Sequence, residues 1–135
     1  MQRFFPGWML PVLAGIALAL IFFFQLAFSD LILARGDTYA YFYPYWDVRD
    51  DSLEDGQLPF WTNDLFMGAP LLANSQLGTL YPPNWISISQ SPPESVKISI
   101  LIHAAWGFLG AYWLARRSLN LRLLPAVTAA SLFSF

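Results

Sequence analysis

The chain has 135 residues, of which 56% are hydrophobic, 18% aromatic and only 12% charged, with a net charge of −2. That charged share is about half that of an ordinary soluble domain and points to a membrane. The absence of cysteine excludes disulfides and thiolate metal sites, and no nucleic-acid partner is expected.

Taken in chain order, residues 1–29 read as an N-terminal tail and a first transmembrane helix. No charged residue occurs from Phe4 to Ser29, and a helix of that length spans about 39 Å, more than the hydrocarbon layer requires. The run is too long for a signal peptide and no small-x-small cleavage site follows it, so it is expected to stay as an anchor. Residues 30–91 form a polar loop in which Asp30, Asp37, Asp47, Asp50, Asp51, Glu54, Asp55 and Asp64 outnumber Arg35 and Arg49. Within it, Tyr39, Phe42, Tyr43 and Trp46 recur at helical spacing, as do Asp47, Asp50, Asp51 and Glu54. The pattern predicts one helix with an aromatic face suited to the membrane interface and a solvated acidic face, stopping near Gly56 and Pro59. Pro44 would kink it or mark its first turn. The remainder, "PFWTNDLFMGAPLLANSQLGTLYPPNW", reads as irregular but ordered, held by Trp61, Phe66, Tyr81 and Trp85.

A second transmembrane helix is predicted over residues 92–116, opened by the S-x-x-E pattern of Ser91 to Glu94 with prolines in its first turn. Residues 117–122 form a short connection, and residues 123–135 begin a third apolar helix that stops with the chain. A spanning helix cannot end half built in lipid, so the sequence is expected to be the N-terminal piece of a larger multi-pass protein. Arg116, Arg117 and Arg122 place that connection in the cytoplasm by the positive-inside rule. The N-terminus is then cytoplasmic, loop 30–91 is extracytoplasmic, and the fold class is an all-α protein of the plasma membrane.

The order of several short blocks resembles the N-terminal region of the YfhO family of bacterial membrane proteins, within the GT-C type glycosyltransferases. The blocks are Asp37 with Tyr43-Pro44, Gly56-x-x-Pro59-x-Trp61, Gly68-x-Pro70-Leu71, Asn74 with Gln76, and Tyr81-Pro82, all between two apolar helices. The resemblance implies a multi-helix enzyme that moves a sugar from a polyprenyl-phosphate donor to a glycan or lipid acceptor outside the cytoplasm. It also implies an essential acidic residue just beyond the first helix, the position that Asp37 occupies here. A fragment lacking the donor-binding regions is expected to be inactive alone.

The chemistry needs a base for the acceptor hydroxyl, and a positioned carboxylate supplies roughly 10²- to 10⁴-fold. Asp37 is the candidate; its competing use is as a helix N-cap. The substrate-binding candidates are Arg35 for phosphate, the aromatic rings of Tyr39, Tyr43, Trp46 and Trp61, the amides of Asn74 and Gln76, and His103, an ionisable residue inside the second span. Asp37 with two of the nearby acids leaves room for a divalent cation, but no EF-hand spacing or close D-x-D pair requires one, so no cofactor is assigned. A reading from another class is a non-catalytic membrane sensor or assembly protein that binds lipid or glycan through the loop.

Overall fold

A computed structural model describes residues 9–33 and 35–135. The described residues are mostly helical, and their only strand-like pairing is an isolated antiparallel bridge between Thr62 and Ala69. The helices are α1 (Met9–Phe22), α2 (Phe24–Phe28), α3 (Tyr43–Glu54), α4 (Pro92–Trp113) and α5 (Leu123–Ser134). They fall into two compact units, one holding the residues up to Asp30 together with Ile100–Phe135, the other Leu31–Ser99. The division passes through α4, whose first turns belong to the second unit.

In the first unit the ladder of α1 continues past Phe23 into α2. Phe23 N–H donates to Ala19 (2.9 Å) and Ala27 N–H donates to Phe23 (2.8 Å), although Phe23 leaves helical geometry at φ −97°, ψ 30°. The first eight residues of the predicted anchor lie outside the described residues. Helix α4 runs on through a wide π turn, Leu114–Ser118, so the helical stretch Pro92–Ser118 is long and apolar enough to cross a membrane. It is the single helix of that length among the described residues, α1 and α5 being shorter. It stops where Asn120 turns to φ +52° and the Arg116 guanidinium donates to the carbonyl of Leu121 at 2.7 Å. At its start, the Glu94 carboxylate of the predicted capping box is engaged by Lys97 Nζ at 2.7 Å.

Small residues pack this unit. Gly15 and Ala19 on α1, Ala105 on α4, and Ala126 and Ala130 on α5 are buried, while Leu10, Leu13, Ile21, Trp106 and Phe133 are exposed. A Cβ on Gly15 would lie 2.9 Å from Cδ1 of the enclosed Phe108, so only a hydrogen lets α1 approach α4 there. Spacings of four, Gly15 to Ala19 and Ala126 to Ala130, put each small pair on one helix face.

In the second unit a π turn, Thr38–Phe42, leads directly into α3, which makes the predicted single helix in two gauges. Tyr43 N–H reaches back five residues to Thr38, widening the turn where Pro44 would otherwise strike the carbonyl of Ala40. The helix stops as expected at Gly56, with φ +72°. Gln57 N–H donates to Ser52 (2.9 Å) and Gly56 N–H to Leu53 (3.0 Å), a Schellman closure.

The core of this unit is Trp46, Leu71 and Leu77, flanked by Phe42, Tyr45, Val48, Leu65 and Val96. This corrects two expectations. The loop is not held by Trp61, Phe66, Tyr81 and Trp85 alone: all four are exposed, although Trp61 packs over Gly68 and Trp85 donates to the Thr79 carbonyl at 2.9 Å, and the fully enclosed Leu71 and Leu77 supply its core. Nor is the acidic face wholly solvated, because Asp50 is buried beside an Arg49 that keeps only 1% of its surface. A lone buried arginine would be costly, so Asp50 follows it inward to neutralise it.

Candidate functional site

Asp37 stands at the entrance to the π turn with an exposed side chain. Its approach is set by Gly36, which takes φ +56°, and by Thr38 N–H closing back on the Arg35 carbonyl at 3.3 Å. The whole segment is tied down by Tyr43, whose hydroxyl donates to the Leu33 carbonyl at 2.6 Å. Burial raises the Tyr43 pKa above its ordinary value, so the phenol stays protonated and keeps this bond. Asp37 occupies the N-cap position but makes no capping hydrogen bond with its side chain. The alternative expected use of this carboxylate, as a cap, is therefore not made.

One turn beyond Asp37, the Tyr41 hydroxyl accepts a hydrogen bond from Asn74 Nδ2. The Asn74 Oδ1 atom in turn accepts from Gln76 N–H at 3.1 Å, which starts a 3₁₀ turn over Ser75–Leu77. Tyr41 also stacks on Tyr45, with ring centroids 4.4 Å apart. The structure thus joins the Asp37 turn to the Asn74–Gln76 segment, two blocks separated in sequence by more than thirty residues. Beside that junction lies a cleft of about 270 Å³ lined by Leu72, Asn74, Ser75, Gly78, Thr79, Leu80 and Tyr81.

The other candidates are distributed differently. Arg35, Tyr39, Gln76 and Trp61 are exposed. Trp61 packs over Gly68 and donates its indole N–H to Asn63 Oδ1 at 3.0 Å. Tyr43 and Trp46, expected among the ligand-facing rings, are both buried in the second unit. His103 is on an exposed position of α4 in the first unit, its ring 6.1 Å from that of Trp106. Among the described residues no three His, Asp or Glu side chains converge.

Arg49 is the residue that sequence reasoning passed over. Its Nε and Nη2 donate to both carboxylate oxygens of Asp50, at 2.7 and 3.1 Å, and Nη1 donates to the Leu77 carbonyl at 2.6 Å. Its guanidinium also lies 4.3 Å from the centre of the Trp46 ring. The cluster pins the loop segment after Asn74 to α3. The only sequence signal was an arginine placed in the middle of an acidic run. Burial pushes the Asp50 carboxyl above its ordinary pKa, with the Arg49 hydrogen bond and charge pulling the other way.

An apolar cleft of about 260 Å³ in the first unit, between α1 and α4, is lined by residues such as Val12, Ile16, Leu101 and Leu109 and carries no titratable group. It offers no chemistry of its own. Comparison of the chain with protein-family models, with curated proteins and with solved structures finds no match.

Proposed function

We propose that this chain forms part of a membrane-embedded, GT-C type glycosyltransferase with a likeness to the YfhO family, in which Asp37 is the catalytic base. The observation that carries the reading is the Tyr41–Asn74 hydrogen bond, which joins the segment that follows the exposed Asp37 to the Asn74–Gln76 block of the resemblance. In this reading Asp37 takes the proton of the acceptor hydroxyl as that oxygen bonds to the anomeric carbon. The bond from that carbon to the polyprenyl phosphate breaks, and the phosphate leaves as an anion within reach of Arg35. One displacement inverts the configuration. The cleft beside Asn74 is slightly smaller than ordinary ligand pockets of about 300–1,000 Å³ and is suited to a single sugar ring rather than a whole lipid-linked donor.

The membrane part of the proposal rests on the length of Pro92–Ser118 and on an arrangement that buries small residues around Phe108 and turns many large apolar ones outward. Large apolar side chains turned outward are at home in lipid, and small ones let helices meet closely. On this reading α1 with α2 forms a further span and α5 begins another, with loop 30–91 extracytoplasmic.

Asp37→Asn, produced at normal level in host membranes, is expected to lower glycan product by at least about 10²-fold, the contribution of a general base. Unchanged product would remove Asp37 from the chemistry. The second reading, a sensor or assembly protein that binds without turnover, is favoured by the exposed Trp61, Phe66 and Trp85. It predicts that the variant keeps full function in vivo.

A further inference from the structure

The segment between Thr62 and Ala69 carries the most exposed apolar side chains of the second unit. Thr62 and Ala69 exchange both backbone hydrogen bonds, at 3.0 and 2.9 Å, and so close a narrow neck. At its tip Phe66 and Met67 take φ +51° and +62°, followed by Gly68 at +127°. Two successive side-chain-bearing residues in the left-handed region are costly, and such geometry persists only where the surroundings enforce it. Here the neck and the Trp61 ring packed on Gly68 enforce it, and the result is to hold Phe66 79% and Met67 101% exposed. Phe60 and Trp61, next to the neck, are exposed as well.

We infer that the Phe66–Met67 tip inserts into the bilayer interface and rests the second unit on the lipid surface. The inference relies on the membrane placement proposed above. Its occupant is argued from covalent attachment: Leu31, which opens this unit, is three residues from the end of α2, and the unit contains the start of the membrane-length stretch Pro92–Ser118. Both ends of the unit are therefore tethered to apolar helices, and lipid is the apolar phase always within reach. Chemistry agrees: a phenyl ring and a thioether enter the acyl boundary, and an indole beside them suits the headgroup level. The one carboxylate in the neck, Asp64, is held back by Thr62 Oγ1 at 3.1 Å. The unit's acidic balance means that zwitterionic lipid suffices and anionic lipid gives no gain.

The chain lacks cysteine, so a single spin label reports one position without ambiguity. Met67→Cys, Asp51→Cys and Gly110→Cys chains, each labelled and reconstituted in phosphatidylcholine vesicles, are to be compared by collision with oxygen and with a water-soluble nickel chelate. Asp51 is on an exposed position of α3, and a side chain at Gly110 meets nothing within 4 Å. The expected result is an oxygen-to-nickel ratio at position 67 severalfold above that at 51, corresponding to a depth of about 5–10 Å. A ratio at 67 equal to that at 51 puts the tip in water and overturns the inference. Low collision with both reagents means that protein covers the tip, which overturns it too. The Gly110 label separates the two readings: its exposure to the nickel chelate would overturn the membrane placement itself, whereas a lipid-embedded Gly110 with an aqueous position 67 overturns only the tip.

Discussion

Arg49 shows how a single side chain can organise a loop. It spends three hydrogen bonds and a ring contact on Asp50, Leu77 and Trp46, and none on solvent. Removing it would strip the buried Asp50 of its partner and the Leu77 carbonyl of its donor, so Arg49→Ala is expected to destabilise the protein by about 3–5 kcal/mol. Urea or thermal unfolding in detergent measures this, and a loss no larger than that of an ordinary surface substitution would contradict it. The pH dependence of Asp50 follows from the direction of its shift. Its folded-state pKa is raised, so its contribution to stability is fully present below the ordinary carboxylate value and is lost as pH rises through the raised one. The stability of the wild-type chain relative to Asp50→Asn should therefore decline from about pH 4 upward. A difference that stays constant across that range would show that burial does not penalise the charge.

At the scale of elements, helix ends and helix contacts obey different rules. Gly56 and Asn120 end their helices by backbone conformation, and both act locally. Gly15 acts between helices, because it is the lack of a side chain that brings α1 against Phe108 and the carbonyl of Ala105. Gly15→Val is expected to cost about 1–3 kcal/mol through overpacking against the buried Phe108 ring. Gly110→Val, on the same kind of helix but facing open space, is the matched control. Equal unfolding midpoints for the two variants would mean that the Gly15 contact does not hold the helices together. The π turn at Thr38–Phe42 belongs to this scale too: by widening ahead of Pro44 it keeps the helix continuous and sends Tyr41 toward Asn74 while Tyr43 turns inward.

At the scale of the whole molecule, the topology is the proposal on which the chemistry depends. Alkaline phosphatase fused after Gly56 is expected to be active, and fused after Asn120 inactive, because the arginines around the turn following α4 favour the cytoplasm. The reverse pattern would put Asp37 on the wrong side for a donor whose sugar faces outward.

By itself the sequence determined what is written in local periodicity and punctuation. The start of α4 at Pro92, the stop of α3 at Gly56, the start of α5 at Leu123 and the ordered, irregular loop were all legible, since each depends on a few neighbouring residues. Only the tertiary structure decided which side of α3 is buried and what closes the loop. Tyr43 and Trp46 read as part of an interface and ligand-facing row, yet Trp46 is enclosed by Leu71 and Leu77, which arrive from distant positions, and Tyr43 is buried with its hydroxyl on the Leu33 carbonyl. The acids of α3 read as one solvated row until Arg49, drawn inward by the Leu77 carbonyl and the Trp46 ring, took Asp50 with it. Likewise Tyr41 and Asn74 carry no signal of each other, because a hydrogen bond across more than thirty residues is set by how the chain folds back and not by spacing.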